Sequence, residues 1–303
     1  MHAIWSFWSR PFENHYRSAW FSEAHHLYSW VLSVETARKH YPHTALYTDD
    51  PGARLLVDKL GLEFERVSTS LNALARHDSD LWTLGKIQTY KQQTEPFLHI
   101  DNDVFLWEPL QAEIESASVF AQNPEHFRQG ISYYRPEEFE GPLSSCLDGW
   151  LPEEWQWYRE ADVPQRGDCC GILGGHRTDF IQHYATQALK LVEHPGNKPA
   201  WASIPNKRIN AILLEQYLLS ACFEYHASRH GSPYRDIEIK YIFESMEEAF
   251  DPSRSSRVRF THMLGPSKRS WEAADRLERR VKEEYPAHYD RCIDALLDPG
   301  QPV

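Results

Sequence analysis

Apolar residues along this chain fall in short unbroken blocks separated by longer amphipathic stretches, the pattern of strands buried on both faces alternating with helices. Ala3-Ile4-Trp5-Ser6-Phe7-Trp8 reads as a first strand that leaves through the polar turn Ser9-Arg10-Pro11, a resting place for a nucleotide. Thr44 to Pro51 reads as a second strand, Glu63 to Val67 as a third, and Phe97 to Leu106 as a fourth. The spacing predicts helices over Ser18 to His40, Ala53 to Leu60 and Trp82 to Gln93. Such alternation implies a mostly parallel sheet flanked by helices, with a ligand site at the carboxyl ends of the strands. Asp49, at the end of the second strand, is placed either to contact a base or ribose or to cap the next helix.

After Val119-Phe120-Ala121-Gln122 the order is less regular. Tyr133 to Asp148 is rich in proline, acidic and aromatic residues, and Trp150 to Tyr158 carries Trp150, Trp155 and Trp157. This aromatic segment is either an acceptor-binding lid or a peripheral subdomain with its own apolar contacts. A helix is expected over Thr178 to Val192, a loop over Glu193 to Pro205, a helix over Lys207 to Phe223, and a polar loop over Ala227 to Arg235. Arg257-Val258-Arg259-Phe260 reads as a short strand, and Trp271 to Leu297 as one or two surface helices broken at Pro286. In the last stretch Arg276, Arg279, Arg280 and Lys282 interleave with acids, which describes a solvated helix face, with a membrane-surface or partner role as the alternative.

The chemistry concentrates where the fourth strand turns polar, at His99-Ile100-Asp101-Asn102-Asp103-Val104. Side chains two apart in an extended segment point the same way, so Asp101 and Asp103 can reach one point while Asn102 faces away. Hard oxygen ligands of this kind suit Mg²⁺ or Mn²⁺ with substrate phosphates filling the remaining positions, although Asp-x-Asp also occurs as a solvated turn. Downstream, Thr261-His262-Met263-Leu264-Gly265-Pro266-Ser267-Lys268 offers an imidazole at His262, a close backbone approach to a phosphate at Gly265 and a point charge at Lys268.

Composition narrows the setting. At 303 residues and 41% hydrophobic, the chain is the size of one enzyme domain, with or without an embellishment. A net charge of −12 excludes a general nucleic-acid binder, since a polyanion finds no overall attraction. The 5 cysteines are an odd number without metal-finger spacing, as expected of reduced thiols in a cytoplasmic protein. No run approaches the roughly 18–20 apolar residues of a membrane span.

Four segments carry a resemblance. Gly85-Lys86-Ile87-Gln88-Thr89-Tyr90 followed by His99 to Val104, then Cys170-Gly171-Ile172-Leu173-Gly174-Gly175, then Glu215-Gln216, then His262 to Lys268 follow one another in order. They are similar to the lysine-bearing helix, the "Y-L-D-x-D" strand, the "N-A-G-V" strand, the Asp-Gln pair and the "H-F-x-G-x-x-K-P-W" ending of metal-dependent, nucleotide-sugar-using glycosyltransferases. The resemblance is to the GT-A fold, above all to the glycogenin and lipopolysaccharide galactosyltransferase type. It implies a Rossmann-like α/β domain over residues 1–270, with a nucleotide-binding half to about residue 125 and an acceptor half beyond it. The aromatic-rich stretch is then an irregular insertion, and residues 271–303 a C-terminal helical extension. Departures are Cys169 in place of the asparagine, Arg269 and Ser270 in place of the proline, and Glu215 in place of the aspartate.

The resemblance implies a metal site of Asp101, Asp103 and His262 for Mn²⁺ or Mg²⁺, and donor contacts from Ser6, Trp8, Asp49, Lys86, Asp101, Asn102, Gly171, Gly265 and Lys268. Glu215, Gln216 and Asp168 are the candidates to stabilise the positive character that develops at the anomeric carbon. Gln216 at the far face of the sugar goes with retention of configuration, Glu215 as a general base with inversion. The expected partners are a nucleotide-sugar donor, UDP-linked by resemblance, and a glycan, peptide, lipid or small-molecule acceptor. Two rivals stand beside this reading. One is a metal-dependent phosphodiesterase or nucleotidyltransferase, which normally needs ligands for a second metal. The other is a noncatalytic sugar-binding scaffold, which has no need of Asp101, Asp103, His262 and Lys268 together.

Overall fold

Five consecutive buried positions in Thr44–Thr48, and four in Phe97–Ile100, describe strands covered on both faces. The structure, a computed structural model, describes residues 1–14, 19–128 and 133–297. It is α/β with a mostly parallel central sheet flanked by helices, and it divides into two compact units. The first unit comprises Met1–Ser79, Phe97–Gln111 and Asp251–Val303, and the second Asp80–Pro96 and Ala112–Phe250. Among the described residues no helix is long and apolar enough to cross a membrane.

In the first unit four strands run parallel in the order Phe97–Ile100, His2–Phe7, Thr44–Thr48 and Arg66–Ser68. Ile4 lies opposite both Ala45 and His99, which sets the register of the three inner positions. The helix Glu23–Arg38 is buried around nearly its whole circumference, including Leu27, Tyr28, Trp30, Val31 and Val34. Ser18, where the sequence starts this helix, lies outside the described residues. Trp271–Glu284 and Pro286–Leu297 pack on that helix, with Ala274, Leu277, Val281 and Cys292 turned inward. The interruption falls before Pro286, as expected.

Several boundaries differ from the sequence reading: Ser9-Arg10-Pro11 opens a helix, Ser9–Asn14, and the third strand is Arg66–Ser68. Two others have a clear local reason. Asp49 ends the second strand: its Oδ1 accepts from the Gly52 N–H at 2.9 Å and starts the helix Asp50–Ala53, which continues as a π-helical turn over Arg54–Lys59. The supposed strand at Arg257-Val258 is the end of a helix, Pro252–Val258. Asp251 caps it on the Ser253 N–H at 2.8 Å and Pro252 presets its first turn, while Arg259 at φ +55° reverses the chain into the strand Phe260–His262.

In the second unit Ile239–Tyr241 runs parallel to Val119–Ala121, which is antiparallel to Ile172–Gly175. Gly175 is required where it stands. Its φ is +136°, and a Cβ there would come 2.3 Å from the Ser118 carbonyl. The aromatic segment forms the helix Glu153–Glu160, with Trp155 and Tyr158 fully buried against Tyr217 at ring separations of 4.7 and 5.3 Å. Trp155 and Tyr158 thus pack internally, while Trp150 and Trp157 remain half-buried. The expected loop from Glu193 contains a 3₁₀ turn, Pro195–Asn197, and the helix Lys198–Ser203, each with proline in its first turn. The helix expected over Lys207 to Phe223 divides into Lys207–Asn210, a π-helical turn Leu213–Tyr217 and Leu218–Ser228.

Candidate functional site

In the first unit the acidic strand stops at Ile100. The Val104 N–H donates to the Asp101 carbonyl at 3.0 Å, so Asp101, Asn102 and Asp103 form a tight turn rather than the extended run expected. The turn is held from the buried helix: Ser33 Oγ donates to the Asp101 carbonyl at 3.0 Å, and Asn102 Nδ2 donates to Ser29 Oγ at 2.9 Å. Asn102 therefore serves the turn, with its amide toward the helix. After it, Val104–Leu106 pairs antiparallel with Phe260–His262, and His262 falls opposite Val104. The Met263 N–H donates to the Asp103 carbonyl at 2.9 Å, which fixes the downstream segment beside the acids.

This pairing brings the three expected metal ligands together. The ligating atoms of Asp101, Asp103 and His262 all lie within 4.8 Å of one another. Opposite ligands of an ion bound at about 2.1 Å stand about 4.2 Å apart, so the set is compact enough for one divalent cation. Two carboxylates and an imidazole are a donor set that a divalent cation accepts. Asp103 Oδ2 is 3.3 Å from His262 Nε2 and 2.5 Å from Lys268 Nζ. Burial opposes ionisation of Asp103, but Lys268 and His262 outweigh it and hold the carboxyl well below the usual range. Lys268 also lies over the Trp20 ring, 5.4 Å from its centre. Gly265, at φ +44°, opens the 3₁₀ turn Gly265–Arg269 that carries the lysine.

The other first-unit candidates lie around the same strand ends. Ser6 Oγ is 2.9 Å from His99 Nε2, and His99 Nδ1 is 3.8 Å from Asp101 Oδ1. Trp8 is buried. Asp49, which caps with Oδ1, accepts at Oδ2 from the Ser9 N–H and hydroxyl at 3.0 and 2.8 Å, so both of its oxygens serve the local fold.

In the second unit Lys86 and Glu215 meet. Lys86 Nζ is 2.6 Å from Glu215 Oε1 and donates to the Cys170 carbonyl at 2.9 Å, while the Tyr90 hydroxyl reaches Glu215 Oε1 at 3.2 Å. The pair is buried and fixes the backbone immediately before Gly171, itself buried. Cys170 is a thiol pushed well up by burial and the Glu215 charge, hence neutral. Glu215 and Gln216 sit in the π-helical turn, a geometry frequent at functional sites. The Gln216 amide bonds the Tyr134 hydroxyl, which also lies 2.5 Å from Glu125 Oε2. Asp168 accepts from Arg166 Nε at 3.0 Å, the Tyr241 hydroxyl at 2.8 Å and Ser220 Oγ at 2.8 Å. The sequence carried no sign of Tyr134 and Glu125 beside Gln216, or of Trp20 beneath Lys268, because each comes from a segment distant in sequence.

A family model described as "Family of unknown function (DUF6734)" matches residues 1–295. The chain belongs to DUF6734. No curated protein matches it. Among solved structures, this DUF6734 chain is similar to the galactosyltransferase LgtC in complex with donor and acceptor sugar analogs, at 14% identity and a TM-score of 0.44, over 93% of this chain and 96% of that one. It is also similar to a structure of an LgtC active-site mutant in which glutamate replaces glutamine, at 14% identity and a TM-score of 0.41, over 95% of this chain and 100% of that one.

Proposed function

We propose that this DUF6734 chain is a metal-dependent glycosyltransferase of the GT-A type, moving a sugar from a nucleotide diphosphate donor, UDP-linked, to a glycan, peptide, lipid or small-molecule acceptor. The observation that carries the reading is the grouping of Asp101, Asp103 and His262 within 4.8 Å, with Lys268 on the same carboxylate. The order of its sequence motifs and its mostly parallel α/β architecture are those expected of such an enzyme.

Asp101, Asp103 and His262 would hold the cation, Mn²⁺ or Mg²⁺. Bound there, it supplies Lewis-acid charge to the departing diphosphate. Lys268, which neutralises Asp103 in the structure described, would turn its ammonium to the phosphates, with Gly265 giving the backbone room to approach them. Ser6 and Trp8 would face the nucleotide at the strand ends. Lys86 acts by holding the Cys170 carbonyl, and so by presenting Gly171 to the donor. Gln216, whose amide carbonyl offers an oxygen without a full charge, is the group best suited to the sugar's far face in a retaining reaction. Glu215 is neutralised by Lys86, and Asp168 is tied by three donors, so both act as supports.

Thermal melting with UDP, GDP, CDP and dTDP, each with and without Mn²⁺, tests the reading, since a ligand bound to the native state raises the melting temperature by mass action. A manganese-dependent rise for one nucleotide, absent in Asp103→Ala, is expected. No rise for any nucleotide would overturn it in favour of the phosphoesterase or the scaffold.

A further inference from the structure

Glu154, His183 and His226 meet in the second unit, brought from the separate helices Glu153–Glu160, Thr178–Glu193 and Leu218–Ser228. Their ligating atoms also lie within 4.8 Å of one another. His183 Nε2 is 2.8 Å from Glu154 Oε1, His226 Nε2 is 3.1 Å from His183 Nε2, and His226 Nε2 is 3.7 Å from Glu154 Oε1. The three atoms thus form a small triangle. The edge expected between ligands of a tetrahedral zinc ion bound at about 2.0–2.1 Å is about 3.3 Å, close to the mean of the separations seen.

The orientation matters more than the proximity. In a hydrogen-bonded chain each imidazole uses one nitrogen as donor and the other as acceptor, handing the chain onward. Here the Nε2 atoms of both rings and one carboxylate oxygen face a common point, and a single ring proton on His183 cannot satisfy Glu154 and His226 equally. The far nitrogen of one ring is separately held: His226 Nδ1 is 2.9 Å from Ser232 Oγ, which also accepts from the Tyr234 N–H at 3.1 Å. In the tautomer whose Nδ1 donates to that serine, His226 presents its Nε2 lone pair inward, as metal-bound histidines held by an outer acceptor do. Gln187 Nε2 donates to Glu154 Oε1 at 3.3 Å, and the Tyr234 ring covers both imidazoles at 5.2 and 5.0 Å.

We propose that Glu154, His183 and His226 form a zinc site, distinct from the Asp101 centre, that clamps the aromatic-rich helix Glu153–Glu160 to the two helices beside it. Two imidazoles and one carboxylate are a donor set zinc accepts, with a fourth position left for water. His183, the most exposed of the three, gives the ion its way in from solvent. Although the site keeps an open fourth position, unlike closed four-ligand structural sites, its role is to hold a helix: that helix carries Trp155, which supports Tyr217 next to Gln216. The inference stands whether or not the protein transfers sugars.

The test uses the untagged full chain, dialysed against a weak chelator and analysed for metal. One zinc per chain is expected, both in the wild type and in Asp103→Ala, and its loss is expected in Glu154→Gln and in His226→Ala, with affinity reduced about 100-fold or more. Cobalt added to the metal-free wild type gives a readout that needs no variant to fold: visible absorption of four-coordinate intensity, displaced by zinc. A wild type without zinc and without that absorption overturns the proposal. So does zinc that survives both substitutions or leaves with Asp103→Ala.

Discussion

Lys268 Nζ stands 2.5 Å from Asp103 Oδ2, the same oxygen that His262 Nε2 faces at 3.3 Å. A buried carboxylate is thereby neutralised by two groups from a segment more than 150 positions away in sequence. The lysine is only partly buried and lies over Trp20, so its side chain can leave without opening the core. On the proposed function the arrangement suits a charge exchange, in which a cation at Asp103 and a phosphate at Lys268 would each replace the pairing seen between them.

Replacing the lysine should therefore have a reversible cost. Lys268→Ala leaves Asp103 ionised and under-paired, which should lower stability by about 1–3 kcal/mol. Millimolar Mn²⁺ should restore more of the melting temperature in this variant than it adds to the wild type. An equal rise in both would mean that the lysine and the cation do not share Asp103.

The buried Lys86–Glu215 pair gives a second test. Lys86→Met strands the Glu215 carboxylate and Glu215→Leu strands the ammonium, each expected to cost about 3–5 kcal/mol in urea unfolding. The double variant should recover most of either loss, because both charges go together. If it proves as unstable as the sum of the two, the pair is not the unit that holds Cys170 and Gly171.

Gln216→Ala separates catalysis from binding. With Tyr134 and Glu125 left in place, the fold should persist, while kcat falls about 100-fold and KM changes little, as for an interaction made mainly in the transition state. A change confined to KM would assign the amide to ground-state binding.

Thiol chemistry follows from burial. Desolvation raises the Cys170 and Cys222 thiols well above their ordinary range and pushes Cys292 up to about 12, whereas Cys146 is partly exposed. At pH 8 a thiol reagent should label Cys146 rapidly in the native protein and all 5 cysteines after unfolding. Because the folded state keeps these protons longer, their contribution to stability is complete below the ordinary thiol pKa and is lost as pH rises beyond about 8.5. Rapid native labelling of Cys170 or Cys222 would contradict this.

Much of this was legible in the chain because burial writes itself into composition. Phe97 to Ile100 could only be an inner strand, and Pro286 could only divide the last helices. Asp101 and Asp103 come together through a turn and not through the extended run expected, and His262 joins them through a strand pairing that spacing does not encode. The helix Pro252–Val258 carries almost no apolar residue, so the alternation in Arg257-Val258-Arg259-Phe260 read as a strand while the helix signal lay upstream in Asp251-Pro252. The π-helical turn under Glu215 and Gln216 arises from packing and has no local mark. Glu154, His183 and His226 were invisible for a plainer reason, because each is one histidine or glutamate on a different helix.

The most direct test of the central claim is a Mn²⁺ electron paramagnetic resonance titration in the presence of UDP, in which bound manganese disappears from the free-ion signal. Wild type and Glu154→Gln should each remove one equivalent, and Asp103→Asn should remove none. A wild type that leaves the free signal untouched, or an Asp103→Asn protein that binds as the wild type does, would contradict a metal-and-nucleotide site at Asp101, Asp103 and His262.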